Sequence, residues 1–301
     1  MCLLVSVKRL ALDAGQKSLA LYGSRAVSLL MGHEAPRISD VDIAILGGED
    51  DALEAKGRLA GAGYRVTPWL RRFQMNRRNT AWIFEATRAG WKFDITAVQS
   101  FDLLGQFSIE KILIEMPSEK VIDDGASRAM RRRLLRLSTP LEEAIPHLLL
   151  ARLIVLSACY ELPLGMASRN GRTVRIIVER CRDAQALVSE EAARASAFSA
   201  LFRSILRARN KRRFLTTISR AGITPILGQT VAKLLAAKAL QDDPRLERLS
   251  RREELAGLLL RHCQSVELPK LANEIGILRS REWNEKDLRI VRRIEQRVSR
   301  G

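Results

Sequence analysis

Between residues 18 and 97 the spacing of apolar positions changes period several times, the mark of mixed α and β structure. The opening MCLLVSVKRLALDAGQ runs straight into a helical pattern. SLALY (18–22) is a short apolar run with strand character, and Gly23-Ser24 then opens a helical spacing that continues to Met31. VDIAIL (41–46) predicts a second strand. GGEDDALEAKGRLAGAG (47–63) puts its acidic residues first and ends on Gly-Ala-Gly, so it predicts a helix whose charges complement its dipole. YRVTPWLRRF (64–73) predicts a strand interrupted at Pro68. TAWIFEATRAGWKFDITAV (80–98) predicts two strands joined at Arg88-Ala89-Gly90.

Beyond about residue 100 the strand signals fade and the remainder is expected to be helical. Apolar residues recur at spacings of three and four in 140–162, 170–188, 189–209, 230–240, 246–263 and 285–300. LSTP (137–140) and LPLGMASRNG (162–171) are the plausible breaks between helices. The expected class is therefore α+β, a small mixed sheet followed by an all-helical region.

With 301 residues, 47% of them hydrophobic, the chain can bury a substantial core and has room for a domain pair. The formal net charge of +17 favours a polyanion as partner, nucleic acid rather than an anionic membrane surface. No apolar run is long enough to cross a bilayer and no signal-peptide cleavage site follows the first helix, so the expectation is no membrane partner and a cytoplasmic location. Cys2, Cys159, Cys181 and Cys263 are too dispersed for a zinc ribbon or a disulfide framework. His33 falls in a loop and His147 in a helical run, while the His262-Cys263 pair lacks two further zinc ligands.

The chemistry concentrates in the first hundred residues. In a strand, alternate side chains share a face, so Val41, Ile43 and Ile45 are placed to enter a core while Asp40 and Asp42 project together from the other side. The same alternation puts Lys92, Asp94 and Thr96 on one face of the later hairpin. Paired carboxylates in an apolar strand are costly unless a cation offsets them. Asp40, Asp42 and Asp94 together are an oxygen-ligand set suited to two Mg²⁺ ions, with Mn²⁺ as the substitute, and to activating a hydroxyl for attack on a nucleoside triphosphate. Gly23-Ser24 supplies the complementary half: a glycine that lets backbone amides approach phosphate, a hydroxyl donor, the positive end of a helix, and added charge from Arg25. Ser-Asp-x-Asp alone is also an ordinary turn or cap, and Gly-Ser is common. It is their occurrence in this order, with Asp94 following in a hairpin strand, that points to catalysis.

Gly-Ser, Asp-x-Asp and a later carboxylate resemble the signature of the DNA polymerase β-like nucleotidyltransferase superfamily. YGSRA and SDVDIAIL are similar to its minimal members, which include antibiotic-modifying and toxin-antitoxin enzymes. The leucines and spacing of GSRAVSLLMGHEAPRISDVDIAI resemble the head of bacterial tRNA nucleotidyltransferases and poly(A) polymerases. FDLLGQFSIEKILIE (101–115) is similar to a weakened form of that branch's Arg-Arg-Asp-Phe-Thr-Ile-Asn segment, and residues 120–164 follow its continuation into a helical neck. The resemblance covers roughly residues 18–165. It implies a head at 1–100, neck helices at 101–165 and an RNA-binding helical body and tail at 166–301. The implied reaction transfers a nucleoside monophosphate from ATP or CTP to an RNA 3′ end, such as that of a tRNA. Leu104-Gly105-Gln106 and Ala144-Ile145-Pro146-His147-Leu148 stand where the family carries its base-reading residues, which leaves the choice of nucleotide open. A protein or small-molecule acceptor, and a catalytically degenerate RNA-binding module, are the alternative readings.

Arginine and lysine clusters supply candidate contacts to a phosphate backbone: Arg71, Arg72, Arg77 and Arg78; Arg128, Arg131, Arg132, Arg133 and Arg136; and Arg207, Arg209, Lys211, Arg212 and Arg213, with more arginines on the last helix. Each run alone is equally a solvated helix face. With aromatics at only 5%, recognition would rest on backbone charge and shape, as for a folded RNA.

Overall fold

The protein is described from a computed structural model covering residues 3–16, 18–32, 40–165, 167–184, 191–280 and 285–299. His33 and Ser39 lie outside the described residues. The chain divides into two compact units, Met1–Ala144 and Ile145–Gly301. The α+β class expected from the sequence is the one observed, with a mixed sheet in the first unit and helices throughout the second.

The first unit runs α1 (Leu3–Ala14), β1 (Leu19–Leu21), α2 (Gly23–Met31), β2 (Asp40–Leu46), α3 (Glu49–Gly61), β3 (Arg65–Val66), β4 (Arg71–Gln74), β5 (Thr80–Arg88), β6 (Trp91–Val98), β7 (Ile112–Met116), β8 (Lys120–Asp123) and α4 (Ala126–Arg131). Its strands form one sheet in the order β3-β5-β6-β2-β1-β7-β8, with β4 also pairing β5. Only β2 and β6 pair in parallel. The helix α3 starts where Gly48 N donates to Asp51 Oδ2 at 2.8 Å, so the acidic run seen in the sequence serves as its N-terminal cap.

One face of the sheet is apolar. Val41, Ile43 and Ile45 of β2, Phe84 and Ala86 of β5, and Phe93 and Ile95 of β6 are all buried. Burying a side chain of the larger kinds completely contributes about 1.5–3 kcal/mol. The helix α3 packs on β5 and β6, and α1 packs on α3. Tyr64, just beyond α3, meets Phe93 edge to face at 6.4 Å and donates from its hydroxyl to Asp13 of α1 at 3.3 Å.

The expectation that strands end near residue 100 is corrected. Residues 101–144 belong to the first unit and contribute β7 and β8. With β2 on one side, β1 would be left with an open edge. That edge is filled by β7, in register Leu19↔Met116 and Leu21↔Ile114. Four of the five β7 residues are buried, so the strand lacks the alternation that would have revealed it. The loop before it folds back on Glu110, which is 7% exposed and accepts from Gln106 N at 3.0 Å and Phe107 N at 3.1 Å.

The second unit comprises α5 (Pro146–Tyr160), α6 (Gly171–Ala184), α7 (Glu191–Arg207), α8 (Lys211–Arg220), α9 (Thr224–Leu227), α10 (Gln229–Ala236), α11 (Lys238–Gln241), α12 (Arg245–Arg248), α13 (Arg252–His262), α14 (Leu268–Gly276) and α15 (Glu285–Val298). Proline at the first position of α5 is free of the hydrogen-bond cost it would carry further in. The buried faces of α5 and α7 pack together, with Phe198 and Phe202 meeting edge to face inside. Among the described residues, no helix is long and apolar enough to cross a membrane.

The β5–β6 hairpin closes through Ala89 (φ 51°) and Gly90 (φ 83°), two positive φ values that match the twist of the flanking strands. Alanine in the left-handed region costs about 1–2 kcal/mol, and asparagine tolerates that region better. Ala89→Asn should therefore raise stability by about 0.5–1 kcal/mol. A matching rise in the urea midpoint of the first unit is the expected readout, and an unchanged or lower midpoint would contradict this account of the turn.

Candidate active site

The parallel register of β2 and β6 sets Asp42 directly opposite Asp94 and Asp40 opposite Lys92. The antiparallel register of β5 and β6 sets Glu85 opposite Asp94 and Thr87 opposite Lys92. Cα partners across neighbouring strands project to the same face, so Asp42, Asp94 and Glu85 form a row with Asp40 and Lys92 beside it. Sequence pattern had placed Asp40, Asp42 and Asp94 here. Glu85 had been missed, because its contribution depends on which strands pair, although the tight hairpin turn already dictated that residue 85 faces residue 94.

Lys92 holds this row together. Its Nζ lies 3.1 Å from Glu85 Oε1, 3.3 Å from Asp94 Oδ1 and 3.9 Å from Asp40 Oδ1. Burial pushes the Asp94 carboxyl above its usual range; Lys92 opposes the shift, while Asp40 and Glu85 add to it. Burial would pull the Lys92 ammonium down, but Asp94, Glu85 and Asp40 outweigh it, so Lys92 titrates above its ordinary value and stays charged.

Asp42 is turned the other way. A Cβ built on Gly23 would fall 2.3 Å from Asp42 Oδ2, and Gly23 also sits at φ 70°, so both contact and backbone demand glycine. Tyr22 N donates to Asp42 O at 3.1 Å, which ties the end of β1 to β2. From there α2 begins, the side chain of its N-cap residue Tyr22 making no cap, and Ser24 and Arg25 lie half-buried in its first turn. The helix thus directs its positive end beside the carboxylate row.

Further along the same face the sheet becomes apolar. Ala20, Ala44, Ala81, Val98, Leu104 and Leu113 form a buried cluster against which Tyr22, Met75 and Phe101 pack. Tyr22 Oη and Thr96 Oγ1 share a hydrogen bond of 3.1 Å at the boundary. This cluster confines the charged patch to the N-terminal halves of β2 and β6. It also absorbs Leu104, while Gly105 and Gln106 are pinned by Glu110, so this loop serves the fold.

The donors at the patch are all carboxylate oxygens, the chemistry that hard divalent cations favour. Among the described residues, no three His, Cys, Asp or Glu side chains converge as a ready-made metal cage. Asp42 faces Gly23, while Asp40, Glu85 and Asp94 surround Lys92, whose ammonium stands in for a cation. In donor type and in charge the residues fit a divalent ion.

Of the basic residues singled out in the sequence, Arg128 and Arg131 of α4 and the following Arg132 and Arg133 are exposed on the first unit. In the second unit Arg209 is exposed, but Lys211 is corrected from a surface contact to a structural residue. It is 7% exposed, and its ammonium donates to Glu247 O at 3.0 Å. Glu247 also accepts from Lys211 N and Arg212 N, closing the first turn of α8 from a distant part of the chain. Arg212 is paired with Asp242 at 2.6 Å, and Arg213 with Glu161 at 3.8 Å. His262 Nε2 lies 3.0 Å from Asp243 Oδ2.

No family model matches the chain, and no curated protein matches it.

Lys92→Met leaves Glu85, Asp94 and Asp40 without their shared counter-charge. These groups are each about a third exposed, so the penalty is discounted to about 1 kcal/mol, or roughly 3 °C in the melting temperature of a unit this size. Added Mg²⁺ should close most of that gap in a thermal melt. A variant that is destabilised but indifferent to Mg²⁺ would argue against a cation site here.

Proposed function

We propose that the first unit is a metal-dependent nucleotidyltransferase which moves a nucleoside monophosphate from an NTP to a hydroxyl acceptor, an RNA 3′ end, releasing pyrophosphate. The observation that carries this reading is the in-register Asp42–Asp94 pair beside the start of α2, with Gly23 pressed against Asp42. Carboxylates and a helix N-terminus next to one another suit a substrate that brings both phosphate and divalent cations. The resemblance in sequence order supports the same reading.

Mg²⁺, or Mn²⁺ in its place, held by Asp40, Asp42 and Asp94, would neutralise the triphosphate and acidify the attacking hydroxyl. Gly23 lets backbone N–H groups approach the phosphates, Ser24 offers a hydroxyl donor and Arg25 adds charge where the leaving pyrophosphate accumulates it. Asp94, whose raised pKa suits a proton acceptor, takes the proton of the acceptor hydroxyl as that oxygen bonds to the α-phosphorus and the bond to the β-phosphate bridge breaks. Glu85 and Lys92 hold Asp94 in place.

The nucleotide is ATP or CTP, selected by residues other than Leu104-Gly105-Gln106. The charge of +17 and the exposed Arg128, Arg131, Arg132, Arg133 and Arg209 support an RNA acceptor, tRNA or a similarly folded molecule.

The purified protein, Mg²⁺, total cellular RNA and each labelled NTP in turn should give a discrete labelled RNA band on a denaturing gel. Asp42→Ala should reduce the label to background while circular dichroism shows the fold retained. Full activity in that variant would remove Asp42 from the mechanism. Label on protein instead of RNA would keep the transfer chemistry and replace the acceptor.

A further inference from the structure

Within the second unit, α12, α13 and α15 enclose a concavity of about 410 Å³ lined by Arg245, Arg248, Leu249, Glu254, Gly257, Leu258, Arg261 and Arg293. Four guanidinium groups converge there against one carboxylate. That carboxylate is already committed, since Glu254 accepts from Ser250 N at 2.8 Å and Arg251 N at 3.1 Å and so closes the start of α13.

Two of the four arginines are anchored. Arg245 Nε donates to Asp243 Oδ1 at 3.2 Å, and Arg293 Nη1 donates to Glu253 O at 2.8 Å. Arg248 and Arg261 are exposed and have no acidic or hydrogen-bonding partner among the described residues. Gly257 lies within α13 where Arg293 crosses it: a Cβ there would lie 3.3 Å from Arg293 Nη2. Glycine inside a helix costs about 1 kcal/mol relative to alanine, and here it makes room for a guanidinium.

The adjoining concavity, which shares Arg293 and Glu254, is different. There Arg252 is paired with Asp287 and Arg289 with Glu253, and Arg251 lies close enough to Glu253 and Glu254 to lower their pKa values. In the first concavity Arg245 is paired with Asp243, but Arg248 and Arg261 have no such partner among the described residues, and the like charges gathered over Leu249 and Leu258 repel one another.

We infer that the concavity between α12, α13 and α15 is a phosphate-binding site, with Arg245 and Arg293 as fixed donors and Arg248 and Arg261 closing on the ligand. Planar guanidinium groups match phosphate oxygens in pairs, and four of them suit a group carrying two or more negative charges. The phosphate comes either from a nucleic-acid backbone or from a free phosphorylated molecule. The site stands independently of the nucleotidyl-transfer reading.

The test compares the full-length protein with R248Q/R261Q and with G257A, in EDTA so that metal-assisted binding at the first unit does not contribute. Inorganic tripolyphosphate is titrated by calorimetry, and a short fluorescent RNA duplex by anisotropy over a range of salt concentrations. R248Q/R261Q should bind tripolyphosphate at least about tenfold more weakly, and tripolyphosphate should raise its melting temperature less than that of wild type. G257A, which favours the helix while crowding Arg293, should keep its stability and also bind more weakly. If the slope of log K against log salt for RNA also falls by about 2 in the double variant, the bound phosphates are those of a nucleic acid. An unchanged RNA slope with weakened tripolyphosphate binding supports the site and assigns it to a free phosphorylated molecule. Equal tripolyphosphate affinity in all three proteins overturns the inference.

Discussion

The parallel register of β2 and β6 is the constraint on which the first unit turns. Two strands paired in this way place residues side by side on one face at a spacing close to that of the strands, about 4.8 Å. A slip by one residue would send Asp42 into the apolar core and Ile43 out of it. The register is therefore enforced by burial on the opposite face, where Val41, Ile43, Phe93 and Ile95 exclude water. The same core that stabilises the sheet compels Asp42 and Asp94 to lie together, although their charges disfavour it. Lys92 offsets part of that repulsion within the fold.

The rest of the patch follows from the chain's path through this pair. The end of β1 is tied to Asp42 by the Tyr22 N–H, so the first turn of α2 has to start beside the carboxylates. Gly23 is the one residue type that allows such an approach, for lack of a Cβ and because of its positive φ. Beyond Ala44 the face is closed by apolar packing, so the polar groups gather at one end. The N-terminus of a helix and a row of carboxylates are thus adjacent by topology.

Most of this was legible in the sequence where it depended on local rules. The strand-helix-strand run from 18 to 46, the capped helix α3 and the β5–β6 hairpin each carry a period or a turn signal of their own. Asp40, Asp42 and Asp94 were recognisable because alternation assigns faces without knowledge of partners. What pairing alone decides was not legible. β7 is buried on both faces and loses its alternation, Glu85 matters only through its neighbour on β6, and Lys211 is drawn inward by Glu247, distant in sequence. A run of basic residues in a sequence does not distinguish a lysine that closes a helix from an arginine that reaches solvent.

The two units share one physical feature, like charges that the fold gathers in one place. In the first, Asp40, Asp94 and Glu85 gather around Lys92; in the second, Arg245, Arg248, Arg261 and Arg293 line one concavity in which Arg248 and Arg261 have no acidic partner among the described residues. Natural folds give up local consistency mainly where a ligand restores it. Other charges are paired individually, as in Arg252 with Asp287, Arg212 with Asp242 and Arg78 with Glu143. Gathered charges of opposite sign suit opposite ligands, and the readings proposed for the two units, a cation at the sheet and phosphate at the helices, rest on that difference.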